Sequence, residues 1–172
     1  MNGPPNGSER DRRLAEATQQ FLERLPPSLA EAVRAAAVPH WFDEEVLTRM
    51  LNLPAEKGAD LNARLAEMPF VQPVAGRGYA LHELTRRLLL EDLWRERRED
   101  FRAWSRRAAE TFEARAGDAD ALLEAVYHRL VADPDRGADM VWNWGRSGTT
   151  PFSTRGSTHW SGGGWSTRRL GG

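Results

Sequence analysis

The chain has 172 residues, 40% of them hydrophobic and 28% charged, which suits one ordinary domain or a small domain with an appendage. The 24 Lys and Arg against 25 Asp and Glu leave a net charge of −1, without the surplus positive charge on which a general nucleic-acid binder depends. The lack of cysteine excludes disulfides, thiolate catalysis and cysteine zinc sites, and no apolar stretch approaches a signal peptide or the roughly 20 residues of a membrane-crossing helix. The expected location is the cytoplasm.

Residues 1–8 are rich in Gly, Pro, Asn and Ser and are expected to be disordered. From Glu9, Leu14, Ala17, Phe21 and Leu25 recur at helical spacing until Pro26 and Pro27 stop the helix. Ser28, with Glu31 three residues on, predicts a capping box for a second helix that turns Leu29, Val33, Ala36 and Ala37 inward. Asp43 is placed to cap a third helix holding Val46, Leu47, Met50 and Leu51. Asp60 is expected to cap a fourth, with Leu61, Leu65 and Met68 inward.

At Phe70 the period changes from helix to strand. Residues 70–74 and 79–81 flank Ala75-Gly76-Arg77-Gly78, whose glycines supply the positive φ of a tight hairpin. Pro73 cannot donate to a ladder, so the first strand is expected at an edge. A long helix is predicted over residues 83–99, with Leu84, Leu88, Leu89 and Leu93 on one face. Phe101, Trp104, Ala108 and Phe112 mark the next helix. Leu122, Leu123, Val126, Tyr127, Leu130 and Val131 mark another, stopped by Pro134, and residues 137–144 a last one. From Gly145 onward the chain has no Asp, Glu, Ile or Val, and only Leu170 is aliphatic. Residues 145–172 are therefore expected to be a dispensable disordered tail, or the product of a frameshift.

Catalytic signatures fail at specific positions. A P-loop requires Gly-Lys-Ser/Thr, and the sole lysine stands in Glu56-Lys57-Gly58. His82-Glu83 begins like a zincin helix, but the second histidine would fall on Arg86. Gly145-Arg146-Ser147-Gly148-Thr149 lacks the closing glycine of a nucleophile elbow. His40 and His128 adjoin Trp41 and Tyr127 and are read as structural histidines, while His159 has no ligand spacing. No enzyme activity and no metal site are expected.

The segment from Val38-Pro39-His40-Trp41-Phe42 to Leu81-His82-Glu83-Leu84 resembles the winged-helix domain of STAND signalling ATPases, the NB-ARC and NACHT-like relatives of AAA proteins. Ala35-Ala36-Ala37-Val38 and Phe42-Asp43-Glu44-Glu45-Val46-Leu47 are similar to the family's opening helices. Leu65-Ala66-Glu67-Met68-Pro69-Phe70-Val71 resembles its short helix followed by a Pro-Phe-Val strand. Tyr79-Ala80-Leu81-His82-Glu83-Leu84 falls where the family has a Met-His-Asp motif, with Leu81 for Met and Glu83 for Asp. Residues 106–113 and 124–130 look like the TPR-like helical region that follows in bacterial members.

The resemblance covers residues 25–144 and implies a mainly α fold: a winged helix of three helices plus a β-hairpin, then an antiparallel α-helical extension and a disordered tail. The implied division is a winged-helix domain with leading helix over 9–99, the extension over 100–144, and the tail over 145–172. The implied function is that of a non-catalytic regulatory or interaction fragment, whose partners are the nucleotide-binding core and helical repeats of a parent protein, or another protein. No cofactor is expected in this chain. ADP or ATP is implied for a full-length parent, where His82 would contact the nucleotide phosphate; on its own residues, His82 reads as a capping residue of the strand-to-helix turn. The alternative is a stand-alone winged-helix transcriptional regulator touching DNA through Asn62, Arg64 and Arg77. Against it, the expected recognition helix carries Asp60 and Glu67 beside Arg64, and acids facing phosphates are unfavourable.

Overall fold

Prolines set the first helix boundaries in the computed structural model, which describes residues 7–115 and 117–147. Helix α1 (Gly7–Arg24) ends before Pro26, as the sequence predicts, and starts two residues ahead of Glu9. Pro27 occupies the first position of α2 (Pro27–Ala36), with Pro26 at the N-cap and no side-chain cap hydrogen bond. The expected capping box at Ser28 therefore does not form. Proline lacks the N–H that a cap would satisfy and presets the helical φ, so the helix begins two residues earlier than a Ser28 cap would place it. Glu31 is taken instead by Arg97, whose two terminal nitrogens lie 2.7 and 2.8 Å from its carboxylate oxygens.

Asp43 does cap α3 (Glu44–Leu51), accepting the Val46 N–H at 2.9 Å, and Asn52 closes that helix in the left-handed conformation. Helix α4 (Ala55–Ala66) starts behind Pro54, so Asp60 lies inside it and caps nothing. Strands β1 (Val71–Val74) and β2 (Gly78–Leu81) pair antiparallel, Val71 opposite Leu81 and Val74 opposite Gly78. On its other side β2 meets Phe42: Tyr79 and Phe42 exchange both backbone hydrogen bonds at 2.8 Å. Since Tyr79 points its N–H and C=O at Phe42, the Pro73–Tyr79 pair needs no ladder bond, and the missing proline N–H costs nothing.

The expected helix over 83–99 is broken at Arg97, which separates α5 (Glu83–Glu96) from α6 (Arg98–Glu113). Arg97 leaves helical geometry (φ −134°) where Glu31, Asp100 and the face of Trp104 hold its guanidinium. Leu88, Leu89 and Leu93 are buried, but Leu84 is exposed. Trp94 is also exposed, under Arg98, whereas Phe101 and Trp104 are buried.

Helix α7 (Ala119–Ala132) reverses its expected face. Ala121, Glu124, Ala125, His128 and Arg129 are buried, while Leu123, Tyr127 and Leu130 are exposed. The small side chains let α7 lie close on α6, and the polar ones find partners there: Arg129 chelates Glu113 Oε1 at 2.6 and 2.9 Å. Pro134 opens α8 (Pro134–Ser147), so residues 145–147, assigned above to the tail, are helical. The expectation for the rest of the tail, like that for residues 1–6, lies outside the described residues. One cluster of buried side chains runs from Leu22 in α1 to Ala125 in α7. No described helix is long and apolar enough to cross a membrane.

Candidate functional site

His82 stands where β2 passes into α5. Its backbone N–H donates to Phe70 at 2.8 Å and its carbonyl accepts the Arg86 N–H at 2.9 Å, so the main chain is held from both sides. His82 is the N-cap residue of α5, but its side chain is exposed and makes no cap hydrogen bond. It projects at a helix N-terminus, where backbone N–H groups favour an anion. Exposed Glu83 places a carboxylate at the same end and opposes one. Beside this junction, Phe21, Leu22, Val33, Phe70 and Thr85 line an apolar groove of about 260 Å³.

Of the three candidate DNA contacts, Asn62 and Arg64 stand on α4 and Arg77 in the turn between β1 and β2. Arg77, at the hairpin, is drawn to Asp120 in α7, with its guanidinium 5.6 Å over the ring of Trp41. Arg64 lies 3.8 Å from Asp60, one turn back on α4. Asn62 is half-buried, and its Oδ1 is enclosed without a hydrogen-bond partner among the described residues.

Charged side chains tie the hairpin and the segment after α2 to the later helices. Trp41, buried, lies between Arg77 and Arg115, 5.6 and 5.7 Å away, and meets Phe112 edge-on at 4.9 Å. Arg115 bridges Asp43 at 2.8 Å and Glu45 at 2.7 Å, and Arg107 donates to the Met50 carbonyl at 2.7 Å. Buried Arg86 reaches from α5 to the carbonyls of Val38 and Pro39, each at 3.2 Å. Glu124 reaches the same segment from α7, with Oε1 2.9 Å from His40 Nδ1 and Oε2 accepting the His40 N–H at 3.2 Å.

Oε2 of Glu124 also lies 3.3 Å from Nε2 of His128, outside hydrogen-bond alignment, so both nitrogens of this fully buried ring lack a hydrogen-bond partner among the described residues. Burial lowers the His128 pKa despite the neighbouring carboxylate. Burial alone would raise that of Glu124, but contacts with His128 and His40 hold it down at about 2.

Both shifts make the fold acid-sensitive. Below about pH 6.5, unfolding lets the His128 side chain take a proton that the core refuses, so stability falls as pH falls through that value. Glu124 stabilises above its ordinary value of 4.5, and that contribution is lost between pH 4.5 and about 2. The urea midpoint is expected to drop between pH 7 and 5, and His128→Phe should flatten that part of the profile. An unchanged midpoint over this range would contradict the burial of a neutral imidazole.

Sequence reading missed Arg86, Arg115 and Glu124. The only signal was their position: Arg86 interrupts the apolar face of α5, and Glu124 stands inside the most apolar run of α7. Among the described residues no three His, Asp or Glu side chains converge so as to hold a metal ion. No protein-family model matches this chain, nor does any curated protein or solved structure.

Proposed function

We propose that this chain is a non-catalytic regulatory module: the winged-helix part of a STAND-type signalling ATPase, with the start of its helical region, coupling nucleotide state to the downstream helices. The order α2, α3, α4, then the β1–β2 hairpin, supports a winged-helix arrangement. The observation that carries the functional reading is the mechanical continuity around residues 38–43. Arg86 grips that segment from α5, Glu124 from α7 and Arg115 from the turn between α6 and α7, and Arg77 joins the hairpin to α7. A displacement of the α5 N-terminus, where His82 is exposed, then reaches α6 and α7 as a body motion instead of being absorbed by a linker. The partners are the nucleotide-binding core and helical repeats of a parent protein; ADP or ATP binds that parent, not this chain.

Isothermal calorimetry with ADP tests the reading. The chain alone is expected to bind no ADP, and His82→Ala should change its stability by less than about 0.5 kcal/mol, because the side chain is exposed and unbonded. In a parent rebuilt from the adjoining genomic sequence, the same substitution should remove a charge-assisted hydrogen bond of about 1.5–3 kcal/mol and weaken ADP retention roughly ten- to a hundredfold. Tight ADP binding by the short chain, or unchanged affinity in the rebuilt parent, would overturn the assignment. DNA binding is the weaker reading, because Arg77 is engaged with Asp120 and Arg64 stands beside Asp60. A mobility shift at low salt, where phosphate-driven association is strongest, would reveal it.

A further inference from the structure

Arg86 and Glu124 hold the same short segment from opposite helices. Arg86 lies one turn after His82 and is only 8% exposed, with Nε donating to the Pro39 carbonyl and Nη2 to the Val38 carbonyl. The next residue, His40, donates its backbone N–H to Glu124 Oε2 and holds its ring Nδ1 2.9 Å from Oε1. Three consecutive residues thus link a guanidinium on α5 to a carboxylate on α7. The helices α5 and α7 do not pack extensively on one another; α6 packs on both.

The link is stiff for a physical reason. Val38 is fully buried and Pro39 is buried with its φ preset, so residues 38–40 have little freedom to absorb a displacement. Trp41, the residue after His40, is wedged between Arg77, Arg115 and Phe112. Removing either grip leaves a buried charge or buried carbonyls unpaired, so the neighbours must rearrange.

We infer that Arg86 is a positioning residue that transmits displacement of the α5 N-terminus to α7 through residues 38–40, with Glu124 as its receiver. Only the biological direction of this link, from His82 outward, rests on the function proposed above; the link itself is a property of the isolated chain. Its output is the placement of α7, whose exposed Leu123, Tyr127 and Leu130 move with it.

The test is a double-mutant cycle read by amide hydrogen exchange on the full chain without nucleotide. Arg86→Lys keeps the charge and one donor, and Glu124→Gln keeps the shape. Each substitution is expected to speed exchange in α7 about tenfold while leaving α4, which neither residue touches, unchanged. The double variant should exchange no faster in α7 than the more affected single one. Additive effects, or an α7 that does not respond to Arg86→Lys, would overturn the inference. A rise of equal size in α4 and α7 would also overturn it, since it would reduce Arg86 to a contributor to global stability. Should Glu124→Gln fail to fold, His40→Ala, on an exposed residue, breaks the ring contact at the same joint and completes the cycle. Because no nucleotide is present, this outcome is independent of whether His82 senses ADP.

Discussion

Gly78→Ala is expected to cost about 3 kcal/mol or more and to detach the hairpin from residue 42. Gly78 has φ +111°, a conformation that residues with a Cβ rarely adopt, and the strain of forcing one there is of order 1–3 kcal/mol. A Cβ at this position would stand 2.4 Å from the Phe42 carbonyl oxygen, a backbone atom that no side-chain rotation can move away. That oxygen accepts the Tyr79 N–H, so relief of the clash stretches the exchange of hydrogen bonds between Phe42 and Tyr79, each worth roughly 0.5–1.5 kcal/mol. Gly76→Ala is the control. Its φ of +73° also disfavours a side chain, but no atom lies within 4 Å, so about 1–2 kcal/mol is expected. Urea midpoints followed by circular dichroism give both values; equal losses for the two variants would show that the close approach to Phe42 is not the deciding contact.

Phe112→Ala should cost about 3–5 kcal/mol, the range for emptying a buried aromatic site. Phe112 is fully buried, meets Trp41 edge-on and lies flat against His128 with an interplanar angle of 7°. The three rings join the segment after α2 to α6 and α7, so the cavity weakens both parts of the molecule together. Unfolding followed by tryptophan fluorescence and by circular dichroism should therefore shift as one coincident transition, in the parent chain and in the variant. Two separated transitions, or a loss below about 1 kcal/mol, would show that α6 and α7 do not share the core of the earlier helices.

Half of the candidate site was legible in the sequence. The change of period at Phe70 and its return after Leu81 mark a strand passing into a helix, and that alone locates His82 at the junction. The engagement of Arg77 was not legible, because its partner Asp120 lies 43 residues away in the numbering and carries no local signature. Nor was the segment after α2 marked as the meeting point of the molecule. Its importance comes from Arg86, Arg115 and Glu124, whose partners in this segment lie far away in the numbering and carry no local signature.

By itself, the sequence determined what depends on neighbours a few residues apart: the helices from apolar spacing, the stop at Pro26, the cap of Asp43 on Val46, and the turn at Gly76 and Gly78. These follow from backbone sterics and local hydrogen bonds, which act wherever the rest of the chain lies. Tertiary structure decided which face of α7 is buried and where the long helix after the hairpin breaks. In α7 the apolar run Leu122, Leu123, Val126, Tyr127 and Leu130 would be the natural core stripe, yet Ala121 and Ala125 face α6. Small side chains allow closer helix contact, and Glu124 and Arg129, both buried, found partners in His40 and Glu113 that offset their desolvation. In the same way, Arg97 ends α5 because the bidentate bond to Glu31, 66 residues away, outweighs one more turn of helix.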